Sequence, residues 1–150
     1  MGTSSAKLDA LLNAIEENCD PTAYRDLVIP YMIDCASLIE PRMPAVALAS
    51  FGVSKNHAAG RVSTQSVTEA IQRCWGELQK DRRETNLDDP EVSAIRAVIC
   101  VLQRQIEQES DDFLNLTSFF LQLLNNVEPH SVEQEALLRK HFPSCIDATA

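Results

Sequence analysis

The side chains that could carry chemistry are three histidines, five cysteines and two pairs of adjacent aspartates. The pairs, Asp88-Asp89 and Asp111-Asp112, could form a Mg²⁺ set, since a hard cation takes oxygen ligands and two such pairs could converge in space. Both pairs also stand where helices are expected to begin. A carboxylate there is favoured by the helix dipole alone, so capping is the reading adopted. The cysteines fall singly, at Cys19, Cys35, Cys74, Cys100 and Cys145, without the close pairing of a zinc site or a disulfide framework. Cys35 and Cys74 lie on apolar stripes, where a cysteine behaves as a small hydrophobe, and Cys100 sits in an apolar run with no histidine nearby. Reduced, functionless thiols are the expectation. His57 falls in a polar stretch and His130 precedes a helix start. His141 suits the negative end of a helix, while Pro143 breaks the helical spacing that a site shared with Cys145 would need. No phosphate-cradling glycine loop, Gly-x-Ser-x-Gly elbow or His-Glu-x-x-His helix occurs. The chain is therefore expected not to be an enzyme, and to use no metal or cofactor. A Mg²⁺-dependent enzyme built on the aspartate pairs is the remote alternative.

Binding chemistry has more behind it. Trp75 is the only tryptophan, and it lies beside the apolar stripe Val67, Ile71, Cys74 and Leu78. Core is its default place; an interface anchor is the alternative. Asp81, Glu84, Asp88, Asp89 and Glu91 follow, with Lys80, Arg82 and Arg83 offset by the acids among them. An aromatic anchor flanked by carboxylates combines a desolvated contact with a steering field. Trp75, Glu84, Asp88, Asp89 and Glu91 are therefore the expected partner-binding residues.

Net charge is −9, and it is uneven: residues 1–75 hold 6 Lys+Arg against 8 Asp+Glu, residues 76–150 hold 7 against 14. That excess argues against nucleic acid, whose phosphates are met by Lys and Arg, and suits a protein with a basic surface.

Helical periodicity runs almost throughout the chain, and no segment alternates with period two. A first helix is expected over about 5–18 with Leu8, Leu11, Leu12 and Ile15 on one face. A second opens at Asp20-Pro21, a cap followed by a proline that loses nothing at the first turn. Its stripe is Tyr24, Leu27, Val28, Tyr31, Cys35 and Leu38, with a kink expected at Pro30. Ala45 to Phe51 reads as a short helix and Gly52 to Ser63 as the longest loop. Further helices are expected over about 64–80, from Asp89-Pro90 to about 108, from Ser110 to about 127, and from Ser131, with Gln134 completing a capping box, to before Pro143. The segment from about 110 to 127 is apolar nearly all round and is expected to be the central helix. The fold expected is all-α: one compact domain over 1–150 of about seven helices, fraying at 1–4 and 144–150. The core would include Leu12, Leu27, Tyr31, Ile71, Trp75, Ile95, Leu102, Phe119 and Leu123. No segment reaches the length of a membrane span. The start lacks a secretory pattern, and Ala6 stands where myristoylation needs Ser or Thr, so a cytoplasmic protein is expected.

Three runs carry a family resemblance: Leu27-Val28 through Cys35-Ala36 to Glu40-Pro41; Ala70-Ile71-Gln72-Arg73-Cys74-Trp75-Gly76-Glu77-Leu78; and Ala94-Ile95-Arg96-Ala97-Val98. Over about residues 24–125 this order resembles the helices of a bacterial all-helical family typified by YjaG. This chain is shorter and lacks the tryptophan that family carries early in its first conserved helix. The resemblance implies a compact helical fold in a bacterial cytoplasm and supplies no catalytic residues. From composition and the absence of catalytic motifs, the function expected is that of a protein-binding protein. The leading form is a bacterial immunity protein or antitoxin that neutralises a toxin or effector by covering its active site. A regulatory or adaptor subunit, acting as a helical homodimer, is the alternative.

Overall fold

The computed structural model describes the backbone of residues 2–18, 21–80, 82, 85–106 and 113–143, and side chains within those ranges at 7–18, 26–80, 82, 85–106 and 116–143. It is all-helical. Seven α-helices follow in order among the described residues: α1 Gly2–Asn18, α2 Pro21–Ser37, α3 Ala45–Ala58, α4 Thr64–Lys80, α5 Pro90–Ile106, α6 Phe113–Val127 and α7 Ser131–His141. A 3₁₀ turn, Glu40–Arg42, joins α2 to α3. The helices enclose one contiguous apolar core, as expected of a single domain.

The helix placed at the centre differs from the sequence expectation. Packing puts α5 between α2, α3, α4 and α6; only Pro90 and Glu91 at its start are exposed, and Arg96, Cys100, Gln103 and Ile106 are half-buried. Val92, Ala94, Ile95, Ala97, Val98, Ile99, Val101 and Leu102 are all buried, small and large residues alternating so that neighbours approach closely on several sides. Helix α6, the segment expected at the centre, is buried along one face through Thr117, Phe120, Leu121, Leu123 and Leu124, while Leu116 is exposed. Phe119 and Trp75, placed in the core from sequence, are half-buried and pack against it, as does Leu27.

The segment 52–58, expected as loop, is helix. Helix α3 runs on through Gly52 to Ala58 because its inner face sets small and polar residues, Ala47, Ser50 and Ser54, around Phe51, and an apolar count passes over them. Ser54 and Gln105 of α5 satisfy one another: the Ser54 hydroxyl donates to Gln105 Oε1 at 3.0 Å, and Gln105 Nε2 donates to the Ser54 carbonyl at 3.0 Å. Both groups are buried, so the exchange removes the desolvation cost of each. Gly60, at φ +75°, then turns the chain toward α4.

Helix α2 continues as one helix through Pro30, whose place on the exposed side leaves the buried stripe Val28, Tyr31, Met32, Cys35 and Ala36 intact. The Asp20 cap lies outside the described residues. At the other end of the chain, Ser131 is the first residue of α7 and not its cap; Gln134 is buried instead of reaching back. Gln134 pairs with Asn125, each amide donating to the other at 3.2 Å, and Asn125 Oδ1 also takes the His130 N–H at 3.0 Å. Tyr31 closes this corner by donating to the Gln134 carbonyl at 3.4 Å.

Candidate functional site

Four of the five expected partner-binding residues fall within the described part of the α4–α5 edge; Glu84, with Asp81, lies outside it. The edge is held from several sides. Arg82 adopts the left-handed conformation, φ 53°, and its N–H donates to the Gln79 carbonyl at 3.2 Å, ending α4. Leu87 is half-buried against the core, and its carbonyl accepts from the Ser93 hydroxyl at 2.6 Å and from Asn126 of α6 at 3.4 Å. Asp89 is the N-cap read from sequence: its Oδ1 accepts the Glu91 N–H at 2.9 Å, with Pro90 at the first position of α5. Asp89 is therefore spent on structure. Asp88 and Glu91 are exposed, and among the described residues neither side chain makes an ion pair.

Trp75 does not stand alone. The guanidinium of Arg96 lies 5.0 Å from the Trp75 ring centre and 5.8 Å from that of Phe119, so one cation bridges aromatic rings from α4 and α6. The three residues form a half-buried row across α4, α5 and α6. Glu91 precedes Arg96 by five residues, about 7.5 Å of rise and about 140° of turn along α5, so the acidic edge and the row lie toward the same end of α5 on different faces of it. Sequence reasoning missed Arg96 as part of this surface. The available signal was its place as the sole charge in the largely apolar stretch from Val92 to Leu102.

The groups weighed for catalysis are dispersed or engaged. Asp111-Asp112, Cys19 and Cys145 lie outside the described residues, and no group of three or more His, Cys, Asp or Glu able to hold a metal is found among those described. Burial pushes the Cys35 thiol up to about 12 and the Cys100 thiol up to about 11, and raises Cys74 too, although the Ser50 hydroxyl beside Cys74 opposes the shift. A thiol held protonated is a poor nucleophile. His141 faces Asp34 of α2 at 2.7 Å, with Lys140 at 3.7 Å from the same carboxylate, fastening the end of α7 to α2. His130 sits 2.8 Å from Glu128, which also pairs with Arg42 at 3.1 Å. The hydrogen bond from His130, more than Arg42, holds the Glu128 carboxyl below the usual carboxylate range. These contacts tie elements together.

Among the described residues no helix is long and apolar enough to cross a membrane. Comparison with family models, with curated proteins and with solved structures finds no match to this chain.

Proposed function

We propose that this chain is an acidic protein-binding protein that covers a basic surface on its partner, as an immunity protein or antitoxin covers the active site of a toxin or effector. The observation that carries this reading is the state of Asp88 and Glu91, exposed carboxylates without an ion pair on an edge fixed by hydrogen bonds. By contrast, Asp34, Glu40, Glu77, Glu128 and Glu135 are each paired with a cation within the fold. Exposed, unpaired carboxylates steer a cationic surface and break no pair within the fold on meeting it. Trp75, held half-buried by Arg96 further along α5, supplies apolar contact area. A cleft that handles nucleic acid is a fitting target, because its phosphate-binding side chains are basic. The YjaG-like order of helices supports a bacterial, cytoplasmic setting.

One observation favours a second reading. The row Trp75–Arg96–Phe119 is the kind of half-buried aromatic surface that a helical homodimer or adaptor would use. Light scattering on the chain alone, and then with the product of the gene adjacent to its own, separates the two. The binding-protein reading expects a monomer that forms a stoichiometric complex and silences the neighbour's toxicity on co-expression. A stable dimer that forms no complex overturns it.

A further inference from the structure

Helix α7 is the shortest α-helix among the described residues, and two of the chain's three histidines stand at its two ends. It packs against α1 and α2, yet within it only Gln134 and Leu138 are buried, so polar contacts share in its attachment. His130 lies between two carboxylates: Nε2 is 2.8 Å from Glu128, just past α6, and Nδ1 is 3.7 Å from Glu133 of α7. A neutral imidazole has one N–H and serves only one of them, whereas the imidazolium serves both. At the other end His141 Nε2 is 2.7 Å from Asp34 of α2, with the Tyr31 ring edge-on at 6.1 Å. The two imidazoles are 19% and 14% exposed, so salt screens these contacts little.

We propose that α7 is a proton-responsive clasp: imidazolium at His130 and His141 fastens its two ends, and loss of those protons as pH rises loosens it. Histidine is the side chain whose charge ordinarily changes between about pH 5 and 8. Closing the clasp brings each imidazole to carboxylate, and opening it returns each to water, so the closed form takes up protons and is weakened as they leave. The other charged groups at the two ends do not reverse this. Arg42 pairs with Glu128 at 3.1 Å, and the exposed Lys140 lies 3.7 Å from Asp34; both stay cationic and keep part of each tie. The Glu128 carboxyl, held below the usual carboxylate range, stays ionised throughout. Tyr31 and Cys35, beside Asp34, are kept protonated by burial well past neutral pH. No charged side chain of α1 among the described residues pairs with either histidine. The clasp lies apart from the acidic edge and does not depend on the partner-binding reading.

The test is amide hydrogen exchange of the whole chain, followed peptide by peptide between about pH 5.5 and 8 and corrected for the intrinsic effect of pH on exchange. Peptides of α7 are expected to exchange through a smaller opening than those of the enclosed α5. The α7 opening constant should rise about fivefold for each histidine that loses its charge, and so about 20-fold across the range, since a hydrogen bond to a charged group is the stronger kind. His130→Gln and His141→Gln keep a polar side chain without the charge. Each should cut the rise to about fivefold, and the double variant should show none. The double variant alters both ends of α7 and can fail to fold; the two single variants then decide the matter. An α7 opening that does not change with pH would overturn the proposal. So would an undiminished rise in the single variants, or α7 peptides that exchange no faster than those of α5.

Discussion

Truncating Phe120 to alanine should cost about 3–5 kcal/mol, whereas the same change at its neighbour Phe119 should cost only about 1–2 kcal/mol. Phe120 is fully enclosed on the inner face of α6, beside the equally buried Leu123 and Leu124. A buried phenylalanine removes about 150–250 Å² from water, worth ~4–6 kcal/mol at ~25 cal/mol/Å², and an unfolded chain that is already partly compact lowers that toward the range given. Phe119 is half-buried, and part of what it contributes is its ring face toward Arg96, 5.8 Å away. A domain of this size is stable by about 5–15 kcal/mol, so Phe120→Ala should lower the melting temperature by roughly 6–20 °C. Urea titrations followed by circular dichroism, fitted with a shared slope, give both values. Equal losses at the two positions, or a larger loss at Phe119, would mean that α6 does not present the face described, and the packing of α6 on α5 would have to be redrawn.

Other consequences can be read from the same contacts. Cys35 and Cys74 should resist labelling by a thiol reagent in the folded chain while labelling fully in urea, as mass spectrometry of the peptides would show; rapid labelling when folded would contradict their burial. Because burial raises Cys35 to about 12 from an ordinary 9, the folded chain keeps a proton that the unfolded chain sheds. Stability should thus be unaffected by this thiol below pH 9 and fall between pH 9 and 12, a loss that Cys35→Ala should reduce in alkaline denaturation curves. Asp34→Asn should cost about 1 kcal/mol by weakening the tie to His141 and Lys140, and a double-mutant cycle with His141→Gln should return a coupling of similar size; no coupling would make the contact incidental.

Much of the architecture could be read from spacing alone, because apolar stripes and proline starts are local signals. Asp89-Pro90 marked the start of α5, and the stripe Val67, Ile71, Cys74, Leu78 marked the inner face of α4. What escaped was structure sustained by distant polar partners. Helix α3 beyond Phe51 rests on Ser54 finding Gln105 fifty-one residues later, a match that no local window contains. Gln134 looked like half of a capping box because its real partner, Asn125, lies before the turn. The apolar count favoured α6 as the central helix, yet enclosure depends on how many neighbours surround a helix, and the small residues Ser93, Ala94 and Ala97 let α5 take that place. The acidic edge was visible as composition. Which acids remain unpaired was not, since Asp89 is taken by the cap while Asp88 and Glu91 face solvent. The stack of Arg96 between Trp75 and Phe119 joins three helices and leaves only the faint mark of one charge in an apolar stretch.

The claim at the centre of this account is that the edge bearing Asp88 and Glu91 meets a basic partner. Stopped-flow association of the chain with the product of the adjacent gene, measured across a range of salt for the native protein and for the Asp88→Lys, Glu91→Lys double variant, tests it most directly. The native rate should fall steeply with salt, and the variant should associate about 10–100-fold more slowly at low salt with a nearly flat dependence, since steering and not packing has been removed. Its melting temperature should fall by only a few degrees, because the two carboxylates have no partners in the fold and contribute only a modest dipole interaction at the start of α5. An unchanged rate and an unchanged salt slope in the folded double variant would contradict the account.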